Sequence, residues 1–194
     1  MRHSIRAGAR SAGVGLLALV VLAADCGEDN PFRGFPLEVT SGSSEVWQLG
    51  LSGLPSAFDI PTGVQLFIGP IDVRSGIGTF VLDERTDGTL GLWAYSTAVS
   101  GLSQVRTGIR DLGAVSFTAL ETVPESGYSA PDDSLGVPVV AGHTYALRIA
   151  RPAGSILQTN YAKLEVTAVG SGFIQFRWAY QAQPLNTTVL AEAD

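Results

Sequence analysis

Along much of this chain the apolar positions recur every second residue, the period of a strand with two different faces. From Glu45, Val46, Gln48 and Gly50 alternate with Trp47, Leu49 and Leu51, and the second set makes one heavily apolar face. Val64 to Ile68 and Thr79 to Leu82 predict two further strands. Glu84-Arg85-Thr86-Asp87-Gly88 then predicts a turn, because Asp-Gly accepts the positive backbone angles of a tight hairpin. Leu90 to Tyr95 follows, with Trp93 and Tyr95 on one face and Leu90, Leu92 and Ala94 on the other. Bulk on both faces predicts an interior strand.

The pattern weakens between Thr97 and Leu112, where Val99, Leu102, Val105 and Ile109 predict the apolar stripe of a short helix. Ala114 to Leu120 reads as a strand, and residues 122–136, with Pro124, Gly127, Pro131, Gly136 and the adjacent Asp132 and Asp133, as a surface loop. The last third is the most regular. Thr144 to Ala150 places Tyr145, Leu147 and Ile149 on one face and Arg148 on the other. Tyr161 to Val169 puts Ala162, Leu164, Val166 and Ala168 inside and Lys163, Glu165 and Thr167 outside. After Gly170-Ser171-Gly172, Phe173 to Tyr180 alternates Ile174, Phe176, Trp178 and Tyr180 against Gln175, Arg177 and Ala179. Two long alternating runs around Gly-Ser-Gly predict a β-hairpin with Arg177 opposite Glu165.

The chain has 23 glycines, 45% hydrophobic residues and one cysteine, so an internal disulfide is ruled out and stability must come from apolar burial. Frequent glycine with short apolar runs, and no repeat of fixed period, predicts a mainly β fold: one antiparallel β-sheet or sandwich-like domain with at most short helices. The boundaries expected are a signal peptide over 1–25, a flexible tether over 26–44, the β domain over 45–185 and a tail over 186–194.

The signal is read from Arg2, Arg6 and Arg10, followed by the apolar run Val14 to Ala24, which is too short to span a bilayer as a helix. The lone Cys26 at its exit resembles the acylated cysteine of bacterial lipoproteins, although Asp25 stands where a small residue is usual. A lipid anchor on Cys26, export from the cytoplasm and a place on the outer membrane or cell surface are the expectation; an ordinary cleavage nearby or an uncleaved anchor are the alternatives.

Charge and motifs exclude more than they select. Without residues 1–25 the chain keeps nine basic and seventeen acidic side chains, which disfavours nucleic acid as a partner. No nucleophile elbow, phosphate loop, Cys-His pair or metal-ligand spacing is present in the sequence, so a non-catalytic role is expected. The acidic pairs Asp83-Glu84 and Asp132-Asp133 read as solvated loop charges.

Tyr161-Ala162-Lys163-Leu164-Glu165-Val166, the glycine turn and Phe173-Ile174-Gln175-Phe176-Arg177-Trp178-Ala179-Tyr180-Gln181 together resemble the closing hairpin of the HmuY-like lipoproteins, and Tyr145 to Ile149 resembles the strand before it. Val46-Trp47 and Phe58-Asp59-Ile60 resemble its early motifs more faintly. The resemblance implies a mostly β, hand-like outer-membrane lipoprotein that carries haem to a transporter, with haem in a cleft near 122–136 and 150–160. The family's best-known members hold haem iron between two histidines, whereas this chain has only His143 and no methionine after the signal. His143 as one axial ligand, with Tyr128 or Tyr145 as a second donor, is the ligand set that remains; a surface turn histidine is the plainer reading. The alternative function is a structural or adhesive lipoprotein that binds protein or glycan without haem.

Overall fold

The computed structural model describes residues 39–68, 78–98, 104–130 and 133–189. The signal segment and Cys26 lie outside the described residues. Ten strands and one helical turn follow in order: β1 (Val39–Trp47), β2 (Ala57–Asp59), β3 (Val64–Leu66), β4 (Phe80–Glu84), β5 (Leu90–Ala94), α1 (Tyr95–Ala98), β6 (Arg106–Asp111), β7 (Val137–Pro138), β8 (Thr144–Ala153), β9 (Ile156–Gly170) and β10 (Phe173–Gln181). They pair antiparallel into two five-stranded sheets, β1-β10-β9-β8-β6 and β3-β2-β4-β5-β7. The fold is mainly β and sandwich-like.

Between the sheets lies a core in which Val46, Tyr145, Leu147, Ile149, Leu164, Val166, Ile174, Phe176 and Trp178 of the first sheet meet Phe58, Ile60, Phe80, Leu82 and Leu92. Aromatic edges meet faces there: Phe58 and Phe176 stand at 84° with centroids 5.1 Å apart, a favoured arrangement of ring quadrupoles. The β9–β10 hairpin has the expected register, with Arg177 opposite Glu165 and the two side chains joined as an ion pair. The Asp87-Gly88 turn also forms, with Gly88 at a φ of 79°. β5 is interior, between β4 and β7.

Several expectations are corrected. Residues 39–44 are the first half of β1, paired with β10 from Val39 opposite Gln181; serines and glycine suit an edge strand whose partner supplies the order. After Trp47 the chain leaves the first sheet, the Leu49 amide bonding the Leu82 carbonyl at 2.8 Å, so the apolar alternation through Leu51 does not belong to one face. Of the helix expected over 97–112, Val99 and Leu102 lie outside the described residues, and from Arg106 the chain is instead the edge strand β6, where Thr107 and Ile109 are β-branched and Gly108 lies under Tyr128. Ala114 to Leu120 is a turn rather than a strand, closed by the Leu120 amide on the Ser116 carbonyl at 3.0 Å. Finally, residues 186–189 are not a tail: Thr188 bridges Thr122 and Val189 is fully buried.

The outer face of the first sheet is divided. Over β8 and β9, segment 112–130 and residues 182–189 form a second apolar layer, with Phe117, Val123 and Val189 against Ala146, Tyr161 and Ala179. That lid is why Lys163, expected outside, has no exposed surface. Strand parity separates two faces but does not say whether the outward one meets water or a loop.

Candidate ligand-binding face

The lid ends at Arg177, whose guanidinium lies 4.7 Å over the Phe117 ring. Beyond it, toward β1, no described residue covers the outer face, and Ser43, Thr167 and Gln175 are exposed. Strand alternation places Ser43, Glu45 and Trp47 of β1 beside Phe173 and Gln175 of β10, because their neighbours Val46, Ile174 and Phe176 point into the core. Thr167 joins them from β9: Val166 pairs with Phe176 and Ala168 with Gln175, leaving Thr167 as the extra residue of a β-bulge, a device that re-aims a side chain.

Two features give this face a shape. One is a polar groove of about 470 Å³ at the edge of this face, where β1 of the first sheet meets β3 of the second, lined by Ser43, Ser44, Glu45, Gly63, Gln65, Thr167, Gln175 and Phe176. Its two sides are tied where Gln65 Nε2 donates to the Glu45 carbonyl at 2.7 Å, linking β3 of one sheet to β1 of the other. The second is an aromatic pair at the end of the strands. Trp47 and Phe173 stack with centroids 4.7 Å apart and planes at 36°, and both remain partly exposed. Phe173 lies over Gly170, where an added Cβ would sit 2.0 Å from its Cε1. The glycine is therefore a seat for the ring.

This arrangement supplies amide donors and acceptors from Gln175 and Gln65, hydroxyls from Ser43, Ser44 and Thr167, one carboxylate from Glu45 and an apolar ring surface nearby. It can hold a neutral polyhydroxylated ligand by paired hydrogen bonds and stacking. Sequence reasoning missed it. Trp47 was grouped with Leu49 and Leu51, and the residues that meet come from four separate strands. The available signal was the parity that Phe173 and Gln175 share with Arg177 on the outer face of the strand.

The ligand candidates taken from the sequence fall elsewhere and do not converge. His143, in the turn before β8, turns Nδ1 toward the Asp111 carboxylate, 3.0 and 3.1 Å from its oxygens. Its ring lies 6.5 Å from that of Tyr145. The Tyr145 hydroxyl, however, donates to the Pro138 carbonyl and accepts the Val140 amide, both at 2.9 Å. Burial, with a smaller push from Asp111, raises its pKa to about 12, so the phenolate that would bind iron is disfavoured. Tyr128 belongs to the lid, donating its hydroxyl to the Pro124 carbonyl. Burial chiefly, then Tyr161, raises its pKa well above the ordinary value.

These residues do not fit haem as a ligand set. Both phenols are spent on backbone carbonyls, and the groove is lined by none of the three. The region 150–160, expected as a cleft-side loop, is the paired end of the β8–β9 hairpin. Among the described residues no group of three or more His, Cys, Asp or Glu is placed to hold a metal ion. No family model, curated protein or solved structure matches the chain.

Proposed function

We propose that this chain is an exported envelope lipoprotein, anchored through Cys26 at the outer membrane or cell surface, whose β domain binds a neutral glycan without catalysis. The observation that supports it is the uncovered half of the first sheet, where a polar groove runs beside a seated aromatic pair in a domain otherwise lidded on that side. Glycan recognition needs such a mixture. Sugar hydroxyls exchange water for amide, hydroxyl and carboxylate partners, and the C–H faces of the ring cover an aromatic surface. A haem carrier would instead need converging iron donors, and His143, Tyr145 and Tyr128 do not provide them.

The test is a titration with a panel of neutral oligosaccharides, followed by tryptophan fluorescence and calorimetry, with haemin in a parallel arm. Saturable binding is expected for a subset of the panel, reduced at least about tenfold by Gln175→Ala, which removes two hydrogen-bonding atoms from the groove. A panel without binders, together with a haemin spectrum that changes on His143→Ala, would overturn the proposal in favour of the HmuY-like reading.

A further inference from the structure

The two ends of the first sheet differ in charge and shape. Beside Trp47 and Phe173 stands Glu84, which accepts a hydrogen bond from the Gln48 amide at 3.0 Å. At the other end, residues 39–40, 152–162 and 180–189 carry no charged side chain, in a chain with a net charge of −6. The charged residues beside them are Arg151, opposite Gln158 and paired with the fully buried Asp59, Arg148 opposite Tyr161, Arg106 opposite Ala150, and Glu121, whose carbonyl accepts the Val189 amide.

This end also protrudes. β6 stops pairing at Ala150 and β10 at Tyr161, whereas β8 and β9 continue through Arg151–Gln158, Pro152–Leu157 and Ala153–Ile156. Those three rungs extend roughly 10 Å past the flanking strands. At the tip Ile156 and Leu157 are 67% and 56% exposed. Being consecutive, they fall on opposite faces of the ribbon. Leu185, 74% exposed, joins them through its amide on the Thr159 carbonyl at 2.8 Å. Its φ of 60° is the left-handed conformation that a branched side chain rarely adopts, held here to display an apolar group in water.

From these features we infer that the β8–β9 tip, with Leu185, is a bilayer-contact site that enters the boundary between headgroups and acyl chains. A protein partner would meet one face of the ribbon; apolar side chains on both faces suit a medium that surrounds the tip. The length of the projection matches the ~5–10 Å depth of interfacial elements. Arg106 and Arg148 have the sign that anionic headgroups attract. Val39, where the described chain begins, pairs with Gln181, which pairs with Tyr161, so the chain joins the fold at this same end. The inference rests on the proposed anchor at Cys26, thirteen residues upstream of Val39, for bringing the domain to a membrane.

The experiment places an environment-sensitive fluorophore on Leu157→Cys, or on Thr86→Cys in the distant β4–β5 turn, in the exported protein bound to phosphatidylethanolamine and phosphatidylglycerol vesicles. A blue shift and quenching by brominated lipid are expected at position 157 and not at 86. In the unanchored Cys26→Ser protein, Ile156→Asp combined with Leu185→Asp should lower vesicle partition at least about tenfold. Mass spectrometry of Cys26 tests the anchor separately. If Cys26 carries lipid and position 157 still reports water, the inference fails while the anchor stands. If Cys26 carries none, a shift at 157 on adding excess vesicles upholds the inference without the anchor, and no shift overturns it. A shift that follows protein concentration without vesicles assigns the tip to a second copy and overturns it as well.

Discussion

Lys163 Nζ lies 2.7 Å from the Phe117 carbonyl oxygen and 4.7 Å from the Phe117 ring centroid. With a second bond to the Leu120 carbonyl at 2.6 Å, the only lysine of the chain fastens the lid to the outer face of β9. Burial, then the nearby Arg177, lowers its pKa to about 8 against the partial support of Glu121. Below that value both folded and unfolded chains hold the proton, and the cost of the buried charge is fully present. Between about 8 and 10.4 only the unfolded chain holds it, so stability rises with pH. Urea midpoints should therefore climb across that window in the parent and not in Lys163→Met. The variant should also lose about 2 kcal/mol at neutral pH, because the two carbonyls lose their donor.

Asp59 on β2 and Arg151 on β8 join the two sheets, with Thr62 and Thr79 hydroxyls also donating to the carboxylate. Asp59 is fully buried, and a buried carboxylate is tolerated only when it is met in this way. Asp59→Ala should cost about 3–5 kcal/mol in equilibrium unfolding, the range for breaking a buried pair. Thr62→Val, which removes a single donor, should cost about 1 kcal/mol. Equal costs for the two variants would mean that the ion pair contributes nothing beyond one hydrogen bond.

Strand periodicity carried the fold as far as it went because both β8 and the β9–β10 hairpin bury one face against the second sheet. Leu164, Val166, Phe176 and Trp178 are read from alternation alone, and all four are core. Alternation failed where the outer face was covered, as at Lys163, and where pairing rather than side chains made the strand, as at Ser41 to Ser44. Val105 and Ile109 also satisfy a helical spacing by accident, although Gly108 and two β-branched residues favour an edge strand. The candidate face was illegible for a further reason. Glu45, Gln65, Thr167 and Gln175 meet only through sheet register and a bulge, neither of which leaves a local motif.

The Tyr145 phenol, a sequence candidate for binding iron, has a structural task that can be measured. Its hydroxyl satisfies the Pro138 carbonyl and the Val140 amide where β7 leads into the turn before β8. Tyr145→Phe should cost about 1–2 kcal/mol, since both groups lose a partner. A folded pKa raised to about 12 means that this residue's share of stability is fully present below about 10, the unfolded value, and is lost as pH rises from there toward 12. The parent should lose stability faster than Tyr145→Phe in that alkaline range. Identical alkaline slopes would remove the phenol from the account.

Gly170 offers the sharpest separation of binding from folding. An added Cβ there would sit 2.0 Å from Phe173 Cε1 and 2.4 Å from Cζ, so Gly170→Ala must displace the ring that stacks on Trp47. Both aromatics are only partly buried at the end of their strands, and the ring can swing toward solvent without opening the core of Phe58, Phe176 and Trp178. The loss of stability should stay near 1 kcal/mol, well below the ~3–5 kcal/mol expected for Trp178→Ala in that core. Trp47 fluorescence should shift to the red as its neighbour leaves. Glycan affinity should fall about as far in Gly170→Ala as in Trp47→Ala, since both destroy the stacking surface while leaving Gln175, Glu45 and Thr167 in place. If Gly170→Ala moves the fluorescence and keeps full affinity, the aromatic pair is not part of the binding face, and the groove between β1 and β3 must hold the ligand alone.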